Sequence, residues 1–158
     1  MLVTVETQLA VERLLARYVA SIDEDRLEEW PDYFTATCRY QIISSENYEQ
    51  KLPIGVFFAN SQAMLQDRVS ALRQANIYEA QRYRHIVSST LVAHEGDGVV
   101  SAQSNYMVVR IMHDGASLLF STGRYLDRIT LRGSEPLFLE KLVVFDSRRI
   151  DTLLAMPL

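Results

Sequence analysis

The chain has 158 residues, 20 acidic against 16 basic side chains, a formal net charge of −4 and 48% hydrophobic residues. That is one domain's worth of polypeptide, able to bury roughly 70% of its unfolded surface without staples, and residues 1–158 are expected to fold as a single unit. The acidic balance argues against a nucleic-acid partner, which selects a basic face, and a lone cysteine, Cys38, leaves neither a disulfide framework nor a thiolate metal cluster.

No apolar run approaches the length of a bilayer span, and residues 1–6 lack a basic segment leading into a long apolar one, so no membrane is expected and a cytoplasmic location is the default. One bias is informative. Of the 16 basic residues 14 are arginine, with Lys51 and Lys141 the only lysines; arginine is the cation favoured at protein interfaces, although codon usage produces the same bias.

Val11, Leu14, Leu15, Tyr18, Val19 and Ile22 recur at helical spacing and place one apolar face on a first helix, with Thr4 as N-cap, Glu6 in the first turn and an end near Asp23. Pro31 fits only a first turn, so a short helix is expected to end near Trp30 and another turn to begin at Pro31. Trp30, Tyr33 and Phe34 then form an aromatic plug.

Residues 38–44 alternate as a short strand, with Arg39, Gln41 and Ile43 on one side and Cys38, Tyr40 and Ile42 on the other. Residues 46–53 read as a polar loop and residues 54–59 as a short apolar strand. Ser61 caps a second long helix reaching about Ala75, with Met64, Leu65, Val69 and Leu72 inward; residues 76–79 break it.

The remainder is a run of four β-rich stretches, residues 83–93, 99–113, 117–131 and 137–154. They are separated by Gly96-Asp97-Gly98, His113-Asp114-Gly115 and the stretch from Arg132 to Pro136, all too short for crossover helices, so an antiparallel meander follows. Gly123, inside the third stretch, marks a bulge or bend. The fourth is apolar on both faces around residues 142–145, as in a strand covered on both sides. Helices packed on a curved antiparallel sheet make an α+β fold.

The sequence holds no Walker loop, Rossmann fingerprint, nucleophile elbow or metalloprotease helix. Asp23 and His85 are the best candidate acid and base, because the end of the first helix and the start of the meander can line one pocket. Both residues also have a structural reading, as a capping or ion-paired carboxylate and a hydrogen-bonded strand histidine. Arg82 and Arg84, with Arg148 and Arg149, flank the sheet ends and are suited to charge-assisted contacts on another subunit, or to protecting a sheet edge by charge; His85 is grouped with them as a candidate interface residue.

Specific strings then carry a resemblance: Ile22-Asp23 followed by Glu29 to Phe34; Asp67 to Arg73 with Ala75 to Glu79; Tyr83-Arg84-His85-Ile86; Gly123 to Asp127; and Asp146-Ser147 with the stretch from Asp151 to Leu158. In joint order they resemble the small, or β, subunits of aromatic-ring-hydroxylating dioxygenases over residues 16–158. Within that family the ending and residues 76–86 are most similar to subunits acting on aromatic carboxylates, terephthalate dioxygenase first and salicylate 5-hydroxylase second.

The resemblance implies a cystatin-like cone of the nuclear transport factor 2 and SnoaL type, and a structural role without an active site or cofactor of its own. It also implies a large partner subunit carrying a Rieske iron–sulfur cluster and a mononuclear iron, and a trimer of small subunits within a hexamer of three large and three small chains. The competing reading is a stand-alone SnoaL-like isomerase or dehydratase using Asp23 and His85, which requires an open, polar-lined cone.

Overall fold

The computed structural model describes residues 2–75, 80–148, 154 and 156–158. Helix α1 (Val5–Asp23) begins where Thr4 Oγ1 accepts the Thr7 amide at 3.1 Å, and it buries Val11, Leu14, Leu15, Tyr18 and Ile22, the stripe expected from the spacing. A single 3-10 turn, Trp30–Tyr33, replaces the expected pair of turns; Pro31, which lacks the amide an interior helical position must donate, sits at its start. Strand β1 (Phe34–Ser44) follows directly and begins four residues earlier than the alternation suggested.

The stretch read as a loop contains a short helix, α2 (Ser45–Glu49), started by Ser44 Oγ accepting the Asn47 amide. Strand β2 (Phe57–Ala59) leads to α3 (Gln62–Ala75), where Ser61 Oγ accepts the Met64 amide. Leu65, Val69 and Leu72 face inward at four- and three-residue steps, whereas Met64, one position round the helix, is 39% exposed instead of buried. The helix break expected at residues 76–79 lies outside the described residues.

Four long strands complete the chain: β3 (Gln81–Gly96), β4 (Val99–Met112), β5 (Ser117–Thr130) and β6 (Leu137–Phe145). Gly96, Asp97 and Gly98 all take positive φ, which closes the β3–β4 hairpin. The fourth stretch is shorter than expected, since β6 stops at Phe145. The sheet order is β2-β1-β6-β5-β4-β3. The meander is antiparallel as its short turns demand, but β1 lies parallel to β6, from Arg39 beside Glu140 to Ser44 beside Phe145, a pairing between distant segments.

Gly123 is not a bulge. It stays in register between Tyr106 and Phe145, and a Cβ there would lie 2.0 Å from the Val144 carbonyl oxygen, so the residue is needed for close backbone approach. The extra residue is Phe120, because Ser121 faces Val108 and Leu119 faces Val109. The shift turns the Phe120 ring onto Tyr83 at 5.4 Å and beneath the Arg110 guanidinium at 4.5 Å.

The sheet curls round α1 to give an α+β cone. Its concave face presents Val100, Ala102, Tyr106 and Val108 from β4, Tyr125 and Ile129 from β5, and Phe138, Val143 and Phe145 from β6 to the buried side of α1, with Trp30 and Phe34 among them. Among the described residues no helix covers the convex face over most of its width.

Candidate functional site

The two residues proposed as an acid–base pair do meet. Asp23 closes α1 and His85 sits on the inward side of β3; the His85 amide donates to Asp23 Oδ2 at 2.8 Å, and ring atom Nδ1 lies 2.6 Å from Asp23 Oδ1. A carboxylate only accepts, so Nδ1 is the donor. Both oxygens of Asp23 are thus engaged by one residue, which ties the end of α1 to the edge strand. His85 Nε2 is buried without a hydrogen-bond partner.

A reacting pair needs space beside it, and the cone is filled: Trp30, Phe34 and Tyr106 are 0%, 1% and 3% exposed. A solvent-open hollow of about 620 Å³ touches Asp23, Glu24, Asp25, Arg73, Arg82 and Arg84, but the His85 ring does not line it. The side chain of His85 is wholly buried and that of Asp23 is 5% exposed. The stand-alone isomerase or dehydratase reading therefore lacks its open cavity, and His85, expected among the interface residues, is turned into the fold.

Two further groups in the cone were not foreseen. Lys141, on β6, is 1% exposed, and its Nζ lies 3.2 Å from each oxygen of Asp127 on β5. The ammonium also sits 3.6 Å from the Tyr125 ring centroid, 4.5 Å from that of Tyr18 and 4.6 Å from that of Phe138. Burial pushes the Asp127 carboxyl up to about 6 and the Lys141 ammonium down to about 8, each shift being opposed by the partner's charge. The available signal was cross-strand phase: Asp127 alternates with Tyr125 and Ile129 on one face, directly beside Lys141.

The second group is the segment Met156–Leu158, whose last residue is fully buried. The hydroxyls of Tyr18 and Tyr40 donate to the main-chain oxygen of Leu158 at 2.6 and 3.0 Å. Arg68 holds the same stretch through the carbonyl of Leu154 at 2.7 Å.

Outside the cone, pairing sets Arg84 beside Val109 and Val109 beside Leu119, and aligns Leu91, Gln103, Leu126 and Leu142 across four strands. Ile86, Leu91 and Leu119 are 49%, 71% and 63% exposed, an aliphatic sheet surface left uncovered by the described residues. A shallow hollow of about 460 Å³ crosses it between Tyr48 and Leu91. Arg82 and Arg84 are both exposed on the free edge of β3, and neither makes an ion pair among the described residues. Arg148 stands 89% exposed, 3.9 Å from Glu46, while Arg149 lies outside the described residues.

Comparison with known proteins matches residues 17–152 to the family model described as ring hydroxylating beta subunit. The chain is 39% identical to the small subunit of anthranilate 1,2-dioxygenase from Burkholderia cepacia, over 97% of this chain and 95% of that one. It is 40% identical to subunit beta 2 of the terminal oxygenase component of terephthalate 1,2-dioxygenase from a Comamonas species, over 96% and 98%. Among solved structures it superposes with TM-score 0.88 and 36% identity on a beta subunit assigned to an aromatic-ring-hydroxylating dioxygenase of Novosphingobium aromaticivorans, covering 96% of each chain.

Proposed function

We propose that this chain, which belongs to the ring hydroxylating beta subunit family, is the non-catalytic small subunit of a Rieske-type aromatic-ring-hydroxylating dioxygenase, in the cytoplasm, and supports assembly of the catalytic large subunit. The observation that carries the reading is the contrast between a cone filled by its own side chains and a broad aliphatic sheet face that none of the described residues covers. A protein built to bind other chains leaves its apolar surface outside. The iron belongs to the partner: a Rieske centre takes two cysteines and two histidines, and this chain has one cysteine, Cys38, 1% exposed in the core.

The substrate class follows from the relatives, whose anthranilate and terephthalate are both aromatic carboxylates. The assembly we infer is a trimer of small subunits within a hexamer of three large and three small chains. Its contacts use the convex face around Leu91 and Leu119, the β3 edge with Arg82 and Arg84, and the Arg148–Arg149 end.

The test is purification of the tagged chain from its host grown on an aromatic acid, with size measurement and a visible spectrum. A larger co-purifying chain with iron–sulfur absorption supports the proposal; a colourless chain purified alone overturns it. In the same experiment Leu119→Asp should abolish co-purification, and Arg84→Ala should weaken it severalfold. Wild-type recovery by both variants would remove this face and edge from the interface.

A further inference from the structure

The cone's interior has the make-up of a ligand pocket, yet its occupant belongs to the chain. Leu158 lies with its side chain fully buried and its main-chain oxygen held by two phenolic hydroxyls, Tyr18 at 2.6 Å and Tyr40 at 3.0 Å. The walls are aromatic and cross at steep angles: Tyr18 meets Phe138 at 5.5 Å and Phe34 at 6.1 Å, and Trp30 meets Tyr40 at 5.4 Å. The neighbouring crevice lies between Trp30, Tyr40, Phe57, Arg68, Leu154 and Met156, and only about 10 Å³ remains free in it. That is about the least a single water molecule needs. The segment therefore fills the space as a bound molecule would.

The polar part of the site has the same character. Burial holds both phenols well above their usual pKa, so they stay protonated and act as donors. The indole N–H of Trp30 is buried beside the Tyr18 hydroxyl and makes no hydrogen bond to Leu158. Two donors on apolar walls match an acceptor oxygen on a small apolar body, as Leu158 presents here.

We propose that residues 156–158 are the built-in occupant of a binding site for small apolar molecules ending in a carboxylate or carbonyl oxygen, and that segment and ligand exclude one another. Tyr18 and Tyr40 hold the acceptor oxygen, and Trp30, Phe34 and Phe138 enclose the apolar body. In the full chain the segment is tethered and so outcompetes a free ligand. The site becomes available when the segment is withdrawn.

The probe is 4-methylpentanoate, which reproduces the leucine side chain and one acceptor group, compared with its amide and with 2-methylpentane. A variant lacking residues 156–158 should bind the acid or the amide saturably by calorimetry, and its Tm should rise by about 5–10 °C at a ligand concentration roughly a hundredfold above Kd. The full chain should show no shift at that concentration. Tyr18→Phe with Tyr40→Phe in the shortened variant should weaken binding by about tenfold to a hundredfold.

Preference for the acid over the amide identifies a carboxylate site, and equal binding a carbonyl site; either result supports the proposal. A folded shortened variant that binds neither compound overturns it, as does binding of 2-methylpentane as tight as that of the acid, or binding unchanged by the tyrosine replacements. If the shortened variant does not fold alone, refolding in the presence of the acid or the amide should restore its circular dichroism, and failure with both overturns the proposal.

Discussion

Replacing Lys141 by methionine should be among the most damaging single changes in the cone. The Lys141 and Asp127 side chains are both 0% exposed and 3.2 Å apart, so removing the ammonium leaves a carboxylate in the core with no counter-charge. Breaking a buried pair from one side costs about 3–5 kcal/mol, which for a chain of this size lowers Tm by roughly 6–20 °C. Changing both partners to apolar residues, Lys141→Met with Asp127→Leu, removes the desolvation penalty as well and should give a stability near wild type or up to about 4 kcal/mol above it.

The pH dependence has a definite sign. Asp127 has a raised folded pKa, so its contribution to stability is present below the unfolded value of about 3.9 and is lost as pH rises through about 6. Lys141 has a lowered folded pKa, so its contribution is present above the unfolded value of about 10.4 and is lost as pH falls through about 8. Without Lys141 the carboxyl rises further, and the deficit of Lys141→Met relative to wild type should grow from pH 5 to pH 8. Urea unfolding followed by circular dichroism across that range measures it. A loss under about 1 kcal/mol for the single variant, or a double variant as unstable as the two single losses added, would refute the reasoning.

Other substitutions test other contacts. Gly123→Ala should destabilise by about 3 kcal/mol or more, because the new methyl would meet the Val144 carbonyl at 2.0 Å and the Phe145 Cα at 2.9 Å, both backbone atoms of the paired strand; a thermal melt within 2 °C of wild type would contradict that close approach. Asp23→Ala strands the His85 amide and ring N–H in the core and should cost about 1–3 kcal/mol, yet leave the kcat of the assembled oxygenase unchanged; a large fall in kcat at full assembly would return Asp23 to the chemistry. Thr4→Ala removes the acceptor for the Thr7 amide and should cost about 1 kcal/mol, seen as a lower denaturation midpoint at unchanged slope.

Much of the architecture was legible because it is local. The α1 stripe, the Thr4 and Ser61 caps and the meander follow from spacing and from turn residues within a few positions of each other. Asp23 and His85 were found because helix end and strand start are chemically conspicuous. Their role was not legible, since whether a pair reacts depends on empty space, and that space is taken by Trp30, Phe34 and Tyr106. Lys141 was hidden by its type: an isolated lysine in an apolar strand normally marks the solvent face, and only Asp127 on the neighbouring strand makes its burial tolerable.

By itself the sequence determined most of the elements, the antiparallel order of β3 to β6 and, through its family strings, membership of the ring hydroxylating beta subunit family. Periodicity and turn chemistry act over a few residues, so they can be read in one dimension. Only the tertiary structure decided that β1 lies parallel to β6, that Phe120 rather than Gly123 is the extra residue, that Lys141 points inward and that Leu158 reaches Tyr18 and Tyr40. Each depends on groups separated by 10 to 140 positions, brought together by closure of the sheet around α1. No local preference specifies such a meeting; shared burial in one core does.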